Sequence, residues 1–101
     1  MWKVKLSDKA EEELINNYKF GKISQEDIGI IKIWVNQVES YGPEAIRDQG
    51  KWDDHALHGV WEGFRSSCFS NSGRIIYRIF DKRIIVEVVR VTPNHNYGSR
   101  I

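Results

Sequence analysis

In this 101-residue chain, the histidines and arginines are the residues whose types and spacing indicate proton transfer and phosphate binding. Histidine titrates near neutral pH, and arginine presents a planar set of donors that suits phosphate. His55 and His58 share one segment, and His95 lies in a later one. Two proton-transferring groups beside arginines suit RNA cleavage through the 2′-hydroxyl, since one takes a proton, one supplies a proton, and arginines stabilise the phosphorane. A surface histidine without a catalytic role is the plainer alternative for each.

The charge is divided along the chain although the net charge is only +1. Residues 1–54 carry 8 basic and 11 acidic side chains, whereas residues 55–101 carry 7 basic and 3 acidic ones. Every arginine except Arg47 lies in the second half. A basic half favours an anionic partner, and chance scatter among few charges is the alternative.

Composition excludes several classes of protein. With 41% hydrophobic and 29% charged residues, the chain is expected to fold as one domain over residues 1–101. Its apolar runs are too short to span a membrane, and its first residues lack the apolar core of a signal peptide. We therefore expect a cytoplasmic protein. We expect neither a cofactor nor a metal, although His55 and His58 with Asp53 or Asp54 form a weak alternative. The single cysteine, Cys68, is expected to be buried and unreactive.

Two helices are predicted after a short strand at Lys3–Leu6. Ser7 is a suitable N-cap for the first helix, which Gly21 ends. Ser24 and Asp27 resemble a capping box for the second helix, and Gly42-Pro43 stops it. A further helical turn fits Pro43–Gln49, before Gly50. The apolar stripe of this second helix is Ile28, Ile31, Val35 and Val38.

Three strands are predicted in the second half, at Val60–Phe69, Arg74–Phe80 and Arg83–Val91, separated by turn residues. The predicted order is β-α-α-β-β-β. The fold class is therefore α+β, with two N-terminal helices packed on one face of an antiparallel sheet.

The register of these strands decides which side chains share a face. Pairing Phe80 with Arg83, and Phe69 with Arg74, places Arg65 directly across from Arg78. The predicted apolar face, which would contact the helices, contains Phe64, Cys68, Ile75, Tyr77, Ile79, Ile84, Val86 and Val88. The opposite face contains Trp61, Arg65, Arg74, Ile76, Arg78, Arg83 and Glu87. That arginine-rich face is either a phosphate-binding surface or a solvated one, and Trp61 either stacks on a base or packs in the core.

Three segments resemble the RelE/ParE superfamily of type II toxins, and most of all its RelE, YoeB and YafQ branches, which are mRNA interferases. The segments are His55–Arg65, Gly73–Ile79 and Val89–Tyr97. The family fold has the same β-α-α-β-β-β order. Cys68 stands where the YafQ branch has a catalytic histidine.

The resemblance implies roles for individual residues. Arg74 resembles the strand arginine that holds the scissile phosphate, and Arg65 resembles the arginine of the preceding strand. His55 resembles a proton-transfer group. His95 and Tyr97 resemble the C-terminal histidine and aromatic residue that supply acid–base chemistry and base stacking. These five are the predicted catalytic residues, and the predicted substrate-binding residues are Trp61, Arg78 and Arg83.

The function implied by the resemblance is that of the toxin of a toxin–antitoxin pair. Such a toxin is a ribosome-dependent endoribonuclease that cuts mRNA in the ribosomal A site and is blocked by a cognate antitoxin. One alternative is a DNA gyrase inhibitor of the ParE branch, whose members generally lack a histidine like His95. Another is a non-catalytic relative that binds RNA or protein.

Overall fold

The structure, a computed structural model, describes residues 2–81 and 85–93, and of residues 81 and 85–89 only the backbone. Its main elements follow the predicted order. They are β1 (Lys3–Leu6), α1 (Asp8–Lys19), α2 (Gln25–Tyr41), α3 (Glu44–Arg47), β2 (His55–Ala56), β3 (Arg65–Cys68), β4 (Arg74–Asp81) and β5 (Ile85–Thr92). Helix α3 is the further helical turn expected within Pro43–Gln49, and the two-residue strand β2 is an addition to the predicted set. Short 3₁₀ turns cover Gly50–Trp52 and Gly59–Trp61, so the predicted strand from Val60 begins only at Arg65.

The strands form one sheet in the order β1-β5-β4-β3-β2. Strands β2 to β5 are antiparallel neighbours, and β1 lies parallel to β5 at the edge. The α+β class and the antiparallel meander are thus confirmed. No helix of the described ranges is long and apolar enough to cross a membrane.

The helix ends are fixed by the residues that the sequence indicates. The Ser7 hydroxyl accepts from the Ala10 amide at 3.1 Å. Ser24 and Asp27 form a complete capping box, in which each side chain accepts from the other residue's amide at 3.0 Å. Helix α2 ends at Tyr41, immediately before Gly42. Because these caps satisfy amides that a helix leaves unpaired, they set where each helix begins.

The main core lies between the helices and one face of the sheet. Trp34 of α2 is fully buried and meets the Tyr77 ring of β4 edge-on, with 5.1 Å between ring centroids. Around this pair lie Ala10, Ile31, Val38, Ile46, Ile75 and Val91. A second, smaller cluster covers the opposite face of β4 and consists of Leu57, Trp61, Phe64 and Ile76. The middle of β4, at Ile75, Ile76 and Tyr77, is therefore buried on both faces, which explains the apolar run there.

The register between β3 and β4 differs from the predicted one by one residue. Arg65 lies opposite Tyr77, and Cys68 lies opposite Arg74. The predicted Arg65–Arg78 pair was wrong, and so was the placement of Cys68 on the helix-facing side. The reason is Gly73, which pairs with the strand: the Phe69 amide donates to its carbonyl at 3.2 Å. A Cβ at Gly73 would lie 2.4 Å from the Phe69 ring, so the glycine makes room for that ring and the loop has three residues.

The register between β4 and β5 also differs. Asp81 pairs with Ile85, so the predicted two-residue turn that would pair Phe80 with Arg83 was wrong. Tyr77 lies opposite Val88 and Ile79 opposite Val86, which keeps those register positions on one face as predicted. The register then shifts by one residue between Tyr77 and Ile76, since Tyr77 pairs with Val88 but Ile76 pairs with Arg90, and this shift is a β-bulge.

Glu13 of α1 fixes this helix to the sheet beyond the end of β1. Its carboxylate accepts from Arg90 through two contacts of 2.8 Å, Nε to Oε1 and Nη2 to Oε2, and from the Val91 amide at 3.3 Å. Strand β1 stops pairing at Leu6, opposite Val88. The carboxylate therefore satisfies an edge amide that β1 does not reach.

Gly29, within α2, and Gly42, immediately after its last residue, give a matched test of these packing constraints. Gly42 has φ +88° and ψ 166°, and a Cβ there would lie 2.7 Å from Trp2 Nε1. Gly29 lies within α2, and a Cβ there would meet nothing within 4 Å. We expect Gly42→Ala to lower the free energy of unfolding by about 1–3 kcal/mol, and Gly29→Ala to raise it by about 0.5–1 kcal/mol. Urea denaturation measures both, and a change of the same sign in the two variants would contradict the assignment.

Candidate functional site

A buried carboxylate, that of Asp54, joins three strands of the sheet. Its side chain has 0% of its surface exposed. It accepts hydrogen bonds from Arg65 Nε at 2.6 Å, from Ser67 Oγ at 2.7 Å and from the Tyr77 hydroxyl at 2.5 Å. Ser67 Oγ in turn accepts from Trp34 Nε1 at 3.0 Å. We call these five residues the Asp54 network, in which an arginine and two hydroxyls compensate the buried charge.

The register produces this network. Asp54 immediately precedes β2, which pairs with β3 through His55 with Ser66 and Ala56 with Arg65. Arg65 lies opposite Tyr77 on β4. Because side chains alternate along a strand, Arg65, Ser67 and Tyr77 share the helix-facing side. A carboxylate at the start of β2 can therefore reach all three.

Burial and charge alter the acidity of two members of the network. Burial of the Tyr77 hydroxyl, reinforced by the neighbouring Asp54 charge and hydrogen bond, raises its pKa well above the ordinary value of a tyrosine. Burial disfavours the charged form of Arg65, but the hydrogen bond and charge of Asp54 outweigh it, so the pKa of Arg65 is raised. Both groups therefore stay protonated at neutral pH.

Arg65 was predicted to take part in catalysis from the face opposite the helices. The structure instead ties its Nε to Asp54, with 23% of the side chain exposed. Its catalytic role stays a prediction, and any contact with a substrate must be made while that bond holds the guanidinium in place.

Arg74 begins β4 on the opposite face of the sheet. Its Nη1 donates to the Gly73 carbonyl at 2.9 Å and to the Asn71 carbonyl at 3.3 Å. Among the side chains that the structure describes, no carboxylate forms an ion pair with it. Main-chain carbonyls thus orient the guanidinium without neutralising its charge.

A groove of ≈ 520 Å³ lies beside Arg74 at this end of the sheet. Ile30 and Ile33 of α2 form part of its apolar wall, and Lys51 adds a second positive charge, whereas Asp53 adds one negative charge. An apolar wall with a net positive lining suits a ligand that carries both a ring and a phosphate.

Arg78 shares a face of β4 with Arg74. Its guanidinium carbon lies 5.6 Å from the centre of the Phe64 ring and 5.0 Å from that of Phe80. Trp61 packs edge-on against Phe64 and is 5% exposed, so little of its ring is available to a base. The structure thus gives Trp61 the packing role that was its alternative interpretation.

His55 is exposed on β2, at the edge of the same sheet. Its Nδ1 lies 2.9 Å from the Asp53 carbonyl oxygen. The Cα atoms of His55 and Arg74 are two strands and two residues apart, or roughly 12 Å from the standard spacings of a sheet. Arginine and histidine side chains that extend toward each other over this distance can contact one phosphodiester linkage between them.

Cys68 lies at the end of β3, half-buried, opposite Arg74. Burial raises the pKa of the Cys68 thiol; Arg74 lowers it, and Asp53 raises it further through a hydrogen bond of 3.9 Å between Sγ and Oδ2. The thiol is therefore a poor nucleophile at neutral pH, although Cys68 is half-buried rather than buried as expected from the sequence.

Three predicted site residues, Arg83, His95 and Tyr97, lie outside the described residues. The described chain ends at Pro93, whose carbonyl accepts from Ser72 Oγ at 3.0 Å. Ser72 belongs to the loop that leads into Arg74, and Thr92 pairs with Arg74. The end of β5 is thus fixed beside Arg74. In the described ranges, no group of three His, Cys, Asp or Glu side chains is placed to hold a metal ion.

Comparison with solved structures identifies the architecture. YafQ from E. coli strain BL21(DE3) has a TM-score of 0.75 and 16% identity, over 97% of this chain and 100% of that one. A metal-bound toxin from Helicobacter pylori has a TM-score of 0.73 and 21% identity, over 95% of this chain and 97% of that one. YoeB, in a complex with YefM from Staphylococcus aureus, has a TM-score of 0.64 and 12% identity, over 91% and 95%.

The chain has the RelE/YafQ toxin fold. The fold that the resemblance of the second half implied is thereby confirmed. No protein-family model matches the sequence, and no curated protein does.

Within this toxin fold, sequence reasoning missed the role of Asp54. The residue entered only as a weak candidate metal ligand, because nothing in the local sequence distinguishes a buried aspartate in a loop from an exposed one. Its role in the network follows from the register of β2, β3 and β4. The available sequence signal for such a buried partner was Tyr77, because a tyrosine on the apolar face of a strand needs a partner for its hydroxyl.

The raised pKa of Tyr77 predicts how stability changes in alkali. A group whose pKa is higher in the folded state contributes its full stability below its unfolded pKa, which for tyrosine is about 10. Above that pH the unfolded chain loses the proton while the folded chain keeps it, so the free energy of unfolding falls. We expect this fall to be smaller in Tyr77→Phe, measured by urea denaturation from pH 8 to pH 11. Tyr41→Phe, at an exposed position, is the control, and an equal effect in both variants would contradict the burial of the Tyr77 hydroxyl.

Proposed function

We propose that this protein is the toxin of a type II toxin–antitoxin pair and cleaves mRNA on the ribosome. The observation that carries the proposal is Arg74, whose guanidinium is oriented by main-chain carbonyls and has no carboxylate partner among the described side chains. An oriented, unneutralised arginine beside a groove is what a phosphate-binding site requires. The shared fold with YafQ and YoeB supports the proposal.

The proposed reaction is a metal-independent transesterification. His55 takes the proton from a 2′-hydroxyl as its oxygen attacks the adjacent phosphorus. The bond from phosphorus to the 5′-oxygen then breaks, and His95 gives that oxygen a proton. This leaves a 2′,3′-cyclic phosphate and a 5′-hydroxyl. Arg74 stabilises the charge of the phosphorane, and such acid–base assistance is worth about 10²–10⁴-fold in rate.

Further residues are proposed to hold the substrate around the reacting phosphate. Arg78 and Arg83 contact neighbouring phosphates, and Tyr97 stacks on a base. Arg65, held in place by its hydrogen bond to Asp54, stabilises negative charge on the reacting phosphate. Trp61 supports this surface by holding Phe64 beneath Arg78.

The proposed partners are mRNA in the ribosomal A site, the ribosome and a cognate antitoxin, which places the protein in the cytoplasm. Solved neighbours include a DinJ–YafQ toxin–antitoxin complex and a YoeB–YefM complex. Helices α1 and α2 present exposed carboxylates of Glu11, Glu12 and Glu26. These acidic faces suit a basic antitoxin segment.

Cell-free translation of one defined mRNA tests the function directly. We expect the purified protein to produce discrete new 5′ ends, mapped by primer extension, at codon-phased positions and only when ribosomes engage the message. The same mRNA without ribosomes is the control. Intact mRNA and normal translation would overturn the proposal, and a supercoiling assay would then test inhibition of DNA gyrase.

Removal of the Arg74 charge should weaken RNA binding in a salt-dependent manner. Binding of a fluorescent single-stranded RNA with 2′-O-methyl riboses, which cannot be cleaved, is measured at several salt concentrations. We expect Arg74→Ala to reduce the slope of log K against log salt by about 0.7, the value for one lost phosphate contact. Arg47→Ala removes the same charge from an exposed position of helix α3 and should leave the slope unchanged. Equal slopes for Arg74→Ala and the unmodified protein would mean that Arg74 contacts no phosphate.

A further inference from the structure

Three consecutive residues, Asp53, Asp54 and His55, have separate structural roles. Asp54 is buried in its network, whereas His55 is exposed on the sheet edge. Asp53 adopts a left-handed backbone conformation, with φ +44° and ψ +43°, which is uncommon for a residue other than glycine. This conformation brings the Asp53 carbonyl to the ring of His55.

The contact between His55 and Asp53 determines where the imidazole carries its proton. A carbonyl oxygen can only accept a hydrogen bond, so the nitrogen 2.9 Å away, Nδ1, must donate. In the neutral ring the other nitrogen, Nε2, then has the free lone pair. Because His55 is exposed, that lone pair is accessible to a substrate.

The backbone supports this arrangement through few hydrogen bonds, one of which runs from the Asp53 amide to the Gly50 carbonyl at 3.1 Å. Strand β2 has two residues, pairs only with β3 and lies at the edge of the sheet. A left-handed aspartate persists only where its surroundings hold it in place, because that conformation is strained. The three hydrogen bonds of the adjacent Asp54 carboxylate supply this hold, since they connect the residue between Asp53 and His55 to β3 and β4.

We propose that Asp54 is a positioning residue which, through the backbone of Asp53, holds His55 with its proton on Nδ1 and with Nε2 as the proton acceptor. The catalytic use of Nε2 rests on the proposed function, but the protonation pattern of His55 does not. Asp54 itself touches no substrate.

NMR of protein labelled with ¹⁵N-histidine tests the pattern without RNA. In long-range ¹H–¹⁵N spectra at pH 8, where imidazole is mostly neutral, we expect His55 in the unmodified protein to carry its proton mainly on Nδ1. In Asp54→Asn the Nδ1-protonated fraction should fall by half or more. Tyr77→Phe, which removes one donor and keeps the carboxylate, should give a smaller fall. His55→Ala assigns the signal.

Glu13→Gln is the matched control. It also removes a carboxylate that holds an arginine through charged hydrogen bonds, but Glu13 lies against β5 rather than β2. It should lower stability and leave the His55 signals unchanged. If Asp54→Asn fails to fold, Tyr77→Phe and Ser67→Ala decide the question, since each removes one of the three bonds to Asp54.

Two results would overturn the proposal: a His55 with its proton mainly on Nε2 in the unmodified protein, or folded variants of the network with an unchanged His55 pattern. If the protein cleaves mRNA, the network variants should lower kcat by about 10²-fold at nearly constant KM, as misplacement of a reacting group does. Glu13→Gln should retain activity. An unmodified protein with the expected His55 pattern and no cleavage would refute the proposed function and leave the positioning role intact.

Discussion

The buried Asp54 carboxylate is the interaction on which the functional face depends. Strands β2, β3 and β4 contact one another through ordinary backbone pairing. Among the described side chains, the Asp54 carboxylate bonds to residues of both β3 and β4 and connects them to the helix layer by way of Ser67 and Trp34. An unpaired carboxylate at this depth would be strongly destabilising, so its three donors form a set that must be kept complete. Burying this charge costs stability, and the hydrogen bonds that compensate it also hold the edge of the sheet, where strand β2 has only two residues.

Strand β4 connects the Asp54 network on one face of the sheet with the second apolar cluster on the other face. Its Tyr77 meets Asp54 and Trp34 on the helix side. The neighbouring positions Ile76 and Arg78 face the second cluster, where Phe64 contacts both Trp61 and the Arg78 guanidinium. Movement of β4 would therefore disturb the buried network and the basic surface together. This coupling is a direct consequence of burying both faces of one strand.

The sequence was sufficient for features that depend on local signals. Ser7 and Ser24 cap the helices where expected, and Gly42 ends α2, because capping is decided by residues only a few positions apart. The resemblance in the second half led to the correct fold. The strand register could not be predicted, because Gly73 was interpreted as a loop residue although it pairs with Phe69. That one-residue difference moved Arg65 from the basic face to the Asp54 network, where contacts span distant parts of the chain.

The position of β5 has a consequence for the order of folding. This strand is the latest of the five in the chain, yet it lies between β1 and β4 and also anchors α1 through Arg90. During synthesis from the N-terminus, β1 and α1 therefore emerge long before their partner strand exists. Such pairing between distant residues makes sheet formation slow, because a long segment must be closed first. The nascent chain cannot complete its sheet, or the rim beside Arg74 where β5 ends, until residues 85–92 have left the ribosome.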